Sequence, residues 1–370
     1  MKDRLISFGL IVGVLLLSGC PRGEQAKPPA AAETPRASVA LRVLVVNEPE
    51  LADAINRLRG EWAERSGGEL KANSLTWSEV AAAKSLDTDV IIFPSRYMGE
   101  LCTRGWLRPV RQTILNSREF NAPDVFPLIR RDLMKWGGEV MALPLGVSIA
   151  MRTKSTEGHP GVSLLAEAAP AALSNQREGA LFEPQTMKPR IGDAAFVSAL
   201  EGLAKKVPEE GPIGIKFADS APVFGLEDRL VAVSTASRNG ASAFKLITWL
   251  ASAEISTQLA RAGKPMMPVR RSLASSSAWY NARLNSSERA KLSQALSGAL
   301  SGEKCLLIPR IPGVDGYMEA LDAAVKTALV DKVPANVALQ KAADRWEQLT
   351  NAKGRDSQRQ AYWKDLGISE

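Results

Sequence analysis

The sequence predicts an α/β fold built on a sheet covered on both faces, and three local patterns carry that expectation. Leu41 to Val46 (LRVLVV) is a short valine-rich run bounded by Asn47 and Pro49, which fits a buried strand and no helix. Leu51, Ala54, Ile55, Leu58 and Trp62 then recur at helical spacing until Gly67 and Gly68 stop the helix. Val90 to Phe93 (VIIF) is a second apolar run, and Pro94, Ser95, Arg96 and Tyr97 turn the chain from it into another helical stretch. Strands without polar alternation belong to sheets buried on both faces, and such sheets hold ligands in the crevice beyond the carboxyl ends of their strands. The turn Ser95 to Tyr97 is therefore a site candidate.

The later elements follow from the same periods. Trp136, Gly137 and Gly138 lead into Val140 to Leu145, read as a strand with Pro144 near its end and Gly146 beyond, where the backbone can be approached closely. Phe244, Ile247, Ala251, Ile255 and Leu259 trace one helical face that ends at Gly263 before Pro265. Met318, Leu321, Val325 and Ala328 mark one amphipathic helix; Leu339, Ala342, Trp346 and Leu349 mark another, opened by Pro334 in its first turn. Trp249 and Trp346 fall on apolar faces and read as core. The polar tail from Asn351 to Glu370 is expected to be only partly ordered, and no internal repeat is evident.

At the start of the chain, Lys2 and Arg4 precede an apolar run from Leu5 to Leu17, closed by Ser18, Gly19 and Cys20. A basic head, a short apolar core and a small-residue site form an export signal, too short for a membrane span of roughly 20 apolar residues. The stretch LSGC resembles the lipobox of bacterial lipoproteins, which implies cleavage before Cys20, lipidation of that residue and anchoring outside the cytoplasm, in the periplasm or on an outer membrane face. Residues 21–39 hold four prolines, several alanines and scattered charge, the composition of a flexible tether. What remains is long enough for two compact domains.

The net charge of +7 is spread among interleaved acids, with local pairs at Arg108 and Arg111, Arg130 and Arg131, and Arg270 and Arg271. Solvated faces and attraction to anionic headgroups explain this balance, and without a basic stripe interleaved with aromatics nucleic-acid binding is not expected. Cys102 and Cys305 lie among apolar residues and read as buried free thiols, although in an exported protein they can also pair. The single histidine, His159, sits in a polar loop, and neither a metal motif nor a bound cofactor is expected. A hydrolase is disfavoured because there is one histidine, no Gly-x-Ser-x-Gly elbow and no pair of acid and base carboxylates. The protein is expected to be no enzyme.

Four stretches in order resemble the extracellular solute-binding proteins of carbohydrate-type ABC importers, family 1, which includes maltose-binding proteins. They are DTDVIIFPSRYMGELCTRGWLRPV (87–110), WGGEVMALPLGVSIAMRTKS (136–155), ASAFKLITWLASAEISTQLARAG (241–263) and IPRIPGVDGYMEALDAAVKTALVDKVPANVALQKAADRWEQL (308–349). The resemblance implies a two-lobed periplasmic-binding-protein-like (type II) fold with hinge crossings between lobes. Its first lobe comprises 40–147 and 226–275, and its second 148–225 and 276–370. The stretches after Ser155 and Lys206 are short beside the family's usual length, so the second lobe is read as shortened, with Glu183 to Lys206 as one of its helices and lead-in.

A sugar cleft needs aromatic faces for pyranose rings and planar hydrogen-bonding groups for hydroxyls. Trp77 and Tyr97 can supply the first, Ser95 and Arg96 the second, with Arg96 also able to take a carboxylate or phosphate. Each has a structural alternative: helix-start packing for Trp77, a solvated first turn for Arg96 and Tyr97, a helix cap for Ser95. By the resemblance, Pro144, Leu145 and Gly146 border the cleft or form a hinge strand, Phe224 and Gly225 lie in the return crossing where Phe224 stacks on ligand or fills core, and Arg310 and Tyr317 are further candidates. The function implied is a lipid-anchored receptor that closes on a sugar or oligosaccharide and delivers it to the membrane subunits of an importer. The alternative is a degenerate scaffold or signalling lipoprotein without a small ligand.

Overall fold

The structure is a computed structural model that describes residues 39–148, 159–175, 179–205, 221–280 and 284–368. The signal segment with the lipidation candidate Cys20, and the tether up to residue 38, lie outside the described residues. From Ser38 to Glu370 the chain forms one compact unit.

The chain begins with β1 (Ala40–Val46), α1 (Pro49–Arg57), α2 (Arg59–Ser66), β2 (Glu69–Leu75), α3 (Trp77–Ala82) and β3 (Val90–Pro94). After a short 3-10 turn at Ser95–Tyr97 come α4 (Met98–Thr103), β4 (Leu107–Arg108), α5 (Gln112–Leu115), a π-helical turn at Ile129–Leu133, and β5 (Lys135–Trp136), β6 (Glu139–Val140) and β7 (Leu143–Gly146). Then follow α6 (Pro160–Asn175), α7 (Ala194–Lys205), β8 (Val223–Phe224), β9 (Arg229–Ser234), α8 (Gly240–Leu250) and α9 (Ala253–Leu259). The last elements are α10 (Ser286–Ser301), β10 (Leu306–Leu307), α11 (Val314–Val330), α12 (Ala335–Ala352) and α13 (Arg355–Leu366).

The main sheet runs β2-β1-β3-β9-β4, and β7 shares the outer edge of β9 with β4. Strands β1, β2 and β3 are parallel, whereas β9 returns from far along the chain to lie antiparallel to β3, β4 and β7. Of the two apolar runs, every residue of β3 is buried, and Leu41 and Val43–Val46 of β1 are buried while Ala40 and Arg42 are exposed; β9 is buried throughout. Each fully buried valine or isoleucine contributes about 1.5–3 kcal/mol by leaving water. A second, two-stranded parallel sheet joins β8 to β10, and α6, α7, α11 and α12 pack around one another.

Four elements differ from the periodicity reading. The helix expected from Leu51 to Trp62 is two helices, because Leu58 both closes α1 and opens α2. The strand expected over Val140 to Leu145 changes partner midway: β6 hairpins onto β5, the amides of Met141 and Ala142 point to the carbonyl of Met134, and β7 joins β9. Pro144 has no N–H to donate, and the β7–β9 register slips between it and Gly146. The long face from Phe244 to Leu259 is also broken, by Ser252, whose side chain accepts the amide of Ile255 and caps α9. The polar tail is ordered helix, since α12 runs on to Ala352 and α13 buries Tyr362 and Asp365. Pro334 stands one residue before α12 as its N-cap. Cys102 and Cys305 are free thiols.

Two glycines are required by close approach. A Cβ on Gly99, in α4, would stand 1.8 Å from the carbonyl oxygen of Arg310 and 2.5 Å from the Trp136 ring. Gly225 has φ +99° and lies so close to Ile308 that a Cβ would meet its carbonyl oxygen at 2.6 Å. Both positions bring the main-sheet region against the segment that carries β10 and the start of α11.

Candidate functional site

At the carboxyl end of β3, the turn Ser95–Tyr97 is gripped by residues 225–228, which lead into β9. The amide of Ser95 donates to the carbonyl of Asp228 at 2.7 Å, and the amide of Arg96 to that of Leu226 at 3.2 Å. Asp228 is fully buried and accepts from Ser95 Oγ (2.9 Å), the amide of Gly225 (2.7 Å) and the amide of Ser148 (3.0 Å). Burial pushes its carboxyl above the usual range, and those donors oppose the shift. One aspartate thus ties together the turn after β3, the segment after β7 and the approach to β9. Ser95 is 0% exposed and works as a donor in this knot, neither as a helix cap nor as an open ligand contact.

Above the knot, the indole of Trp77 lies flat on the phenol of Tyr97, with centroids 3.7 Å apart and planes 8° from parallel. Trp77 is the first residue of α3. A capping box between Thr76 and Glu79 sets that helix start, and Asn47 Oδ1 receives the Trp77 amide at 2.8 Å. The guanidinium of Arg96 covers the Tyr97 ring at 4.6 Å from its centroid. Such stacking and cation–π contacts each contribute of the order of 1 kcal/mol beyond burial.

Asp315, in the first turn of α11, closes the site from the other side. Its Oδ1 lies 3.0 Å from Arg96 Nε, and its Oδ2 accepts the hydroxyl of Tyr97 at 3.1 Å. Arg96 also pairs with Glu227, which Lys264 Nζ reaches at 2.6 Å. Two cations and two carboxylates therefore balance one another. Next to them, Glu48 is buried against Arg229 and accepts the Lys264 amide at 3.1 Å. Burial raises the Tyr97 phenol to about 12, with the Arg96 cation opposing it. Lys264 is lowered, first by burial and then by the Arg96 charge.

The remaining candidates are placed differently. Pro144, Leu145 and Gly146 are buried in β7, where a Cβ on Gly146 would meet Met266 at 2.7 Å, so this stretch is packed strand in the structure. Phe224 is 1% exposed in β8 and fills core. Gly225 meets the site through its backbone, by the amide given to Asp228. Arg310 is a correction. It is 0% exposed, pairs with Asp365 at 2.7 Å, and donates to the carbonyls of Asp132, Leu133 and Lys135, so its guanidinium is consumed within the protein. Tyr317 is likewise buried, bonded to Thr350 and edge-on to Phe182 and Trp346. Both stand close in sequence to the start of α11, yet the side chain that reaches the site from that turn is Asp315.

Asp315, Glu227, Asp228 and Lys264 escape the sequence reading. A signal exists for two of them, since Glu227 and Asp228 are acids set into the apolar stretch VFGLEDRLVAV. Asp315 sits in a turn rich in glycine, at a helix start where an acid is commonplace because it suits the helix dipole. No group of three or more potential metal ligands occurs among the described residues, and no helix among them is long and apolar enough to cross a membrane.

No protein-family model matches the sequence, and no curated protein matches it. Solved structures do. The sugar-binding protein MalE from Xanthomonas citri superposes with a TM-score of 0.65 at 13% identity, over 85% of this chain and 98% of that one. A solute-binding protein of an ABC transporter from Agrobacterium radiobacter, in complex with ribitol, gives 0.55 at 14% identity over 84% and 98%. The maltose-maltodextrin binding protein of Alicyclobacillus acidocaldarius gives 0.54 at 15% identity over 83% and 100%. At such identities the likeness establishes architecture and nothing finer: the chain has the two-lobed type II fold of periplasmic solute-binding proteins.

Proposed function

We propose that the protein is a lipid-anchored, extracytoplasmic solute-binding protein that captures a sugar, oligosaccharide or polyol and passes it to the membrane subunits of an ABC importer. In this reading 40–147 with 226–275 form one lobe and 148–225 with 276–370 a second, shortened one. Ligand enters between them and the lobes close by hinge motion, driven by contacts that only the closed state makes. Cys20 carries the anchor, and no catalysis or cofactor is involved. The observation that carries the reading is the aromatic and guanidinium group of Trp77, Tyr97 and Arg96 at the carboxyl end of β3, facing Asp315 and Glu227. Aromatic faces, a planar donor fork and two carboxylates are what a polyhydroxylated ring requires. The solved structures of like fold that hold ribitol or bind maltodextrin add to it.

A second reading, a scaffold without small ligand, is favoured by one feature: Arg96 and Tyr97 already spend their polar groups on Asp315 and Glu227. A thermal-shift scan of the chain lacking residues 1–20 against mono- and oligosaccharides and polyols separates the two. A ligand at a hundredfold excess over its Kd stabilises the folded form by about 2.7 kcal/mol. A shift that disappears in Arg96→Ala supports the receptor. No shift with any sugar or polyol supports the scaffold.

A further inference from the structure

Well apart in sequence from the Tyr97 turn, Arg131, Lys135, Lys304 and Lys364 line one cavity of about 850 Å³. That volume is within the range of small-molecule sites. Three acids line it as well, but two are already matched. Asp132 takes both oxygens to Arg131 (2.8 and 2.7 Å) and also accepts the Cys305 thiol at 3.1 Å. Asp365 is held by Arg310 behind the wall. Among the described lining residues this leaves Glu303 as the remaining acid beside Lys135, Lys304 and Lys364. Among the described residues no carboxylate pairs with any of these three ammoniums, and Lys304 Nζ finds only the carbonyl of Leu173, at 3.5 Å. Among the described lining residues, three cations against one acid leave two positive charges on a concave wall, where field lines concentrate.

The walls are set before any ligand arrives. Arg310 donates to the carbonyls of Asp132, Leu133 and Lys135 at 2.7 to 3.1 Å while it holds Asp365 of α13. One buried guanidinium thus rivets the π-helical turn that presents Arg131 to the helix that presents Lys364. π-Helical turns recur at functional sites, and here the turn carries two lining residues, Arg131 and Asp132.

We propose that this cavity binds a dianionic phosphate group. A phosphate monoester carries about 1.5 to 2 negative charges at neutral pH, which matches the excess on the wall, and its oxygens accept charge-assisted bonds from ammoniums. A soluble phosphate ester and the headgroup of phosphatidic acid share this chemistry. The site is separate from the Tyr97 turn, so its fate in experiment is independent of the sugar reading.

The test is calorimetric titration of the chain lacking residues 1–20 with glycerol 3-phosphate and with inorganic pyrophosphate, against chloride at matched ionic strength. Saturable binding is expected, weakened about two- to fivefold by each of Lys135→Gln, Lys304→Gln and Lys364→Gln, as for exposed charge pairs. It should be absent in the triple variant and strengthened by Glu303→Gln. Glu303, Lys304 and Lys364 are exposed and Lys135 is half-buried, and an unchanged melting temperature in each variant verifies the fold. Co-sedimentation with phosphatidylcholine vesicles containing phosphatidic acid, lost in the triple variant, identifies the lipid headgroup as the source; binding of the soluble esters alone identifies a free ligand. No binding to any phosphate, or binding that persists unchanged in the triple variant, overturns the proposal.

Discussion

Asp315 holds Arg96 and Tyr97 with its two oxygens, so Asp315→Ala removes both contacts at once. The Tyr97 hydrogen bond is worth about 1 kcal/mol. The ion pair to Arg96 counts for less than its 3.0 Å suggests, because 43% of the Asp315 side chain is exposed; screening leaves it about 0.2–1 kcal/mol. Arg96 keeps Glu227 as a partner. The expected loss is therefore about 1–2 kcal/mol, or about 1.5–3 °C in melting temperature for a body of this size. Asp315→Asn keeps an oxygen for Tyr97 and loses only the charge, so its cost should be about half as large. Thermal unfolding followed by tryptophan fluorescence measures both, and raising the salt concentration should narrow the gap between Asp315→Asn and the parent. If both variants melt with the parent protein, Asp315 does not close this site and the account of the Arg96 and Tyr97 contacts is wrong.

Gly99→Ala forces a methyl onto the Arg310 carbonyl and the Trp136 ring, and since a backbone oxygen cannot swing aside the loss should reach about 3 kcal/mol; an unchanged denaturant midpoint would refute the packing. All four tyrosines are pushed up by burial, Tyr97 to about 12. The folded state keeps protons that unfolded phenols lose near pH 10, so stability falls as pH rises past that value. Absorbance at alkaline pH should show phenolate only together with loss of far-ultraviolet circular dichroism, and a tyrosine that ionises reversibly near pH 10 in the folded protein contradicts this. Asp228 is also raised by burial, so the folded protein retains a proton there that the unfolded chain releases near pH 3.9, and its contribution to stability declines as pH climbs from there through the folded value. Asp228→Asn should flatten that part of the stability–pH curve relative to the parent, at the cost of a mismatched donor facing the amide of Ser148 or that of Gly225; identical slopes would show that Asp228 is not the group titrating.

The strands β1 and β3 are legible because strand residues covered on both faces are apolar, as Val43–Val46 and all of β3 are, and a run of four to six residues closed by Asn or Pro is too short to make a helix. Where one element hands over to another inside a continuous apolar pattern, the period is blind. Leu58 and Ser252 interrupt helices without interrupting the apolar stripe, and β6 and β7 divide an apolar run because they pair with different strands. The tail misleads for the opposite reason: of its buried residues Gln358, Ala361, Tyr362 and Asp365, the polar Gln358 and Asp365 are fixed by partners far away in sequence, the carbonyl of Pro312 and Arg310.

At the site, the turn Ser95–Tyr97 and Trp77 can be singled out by type and position alone, since aromatic and guanidinium groups beside a strand end are unusual wherever they stand. Their partners cannot. Asp315 lies more than two hundred residues beyond Tyr97, and Asp228 is buried by the folding of three separate segments around one carboxylate. Arg310 looks available in the sequence because an arginine is normally exposed, and the fold makes it a strut.

The amino-acid order by itself determined which segments must be buried and where the chain has to turn, because hydrophobic periodicity, helix caps and proline act over a few residues. Which charges meet was decided only by the tertiary structure. Ion pairs such as Arg96 with Asp315 and Arg310 with Asp365 depend on distances of about three ångströms between segments whose separation along the chain carries no information about their approach.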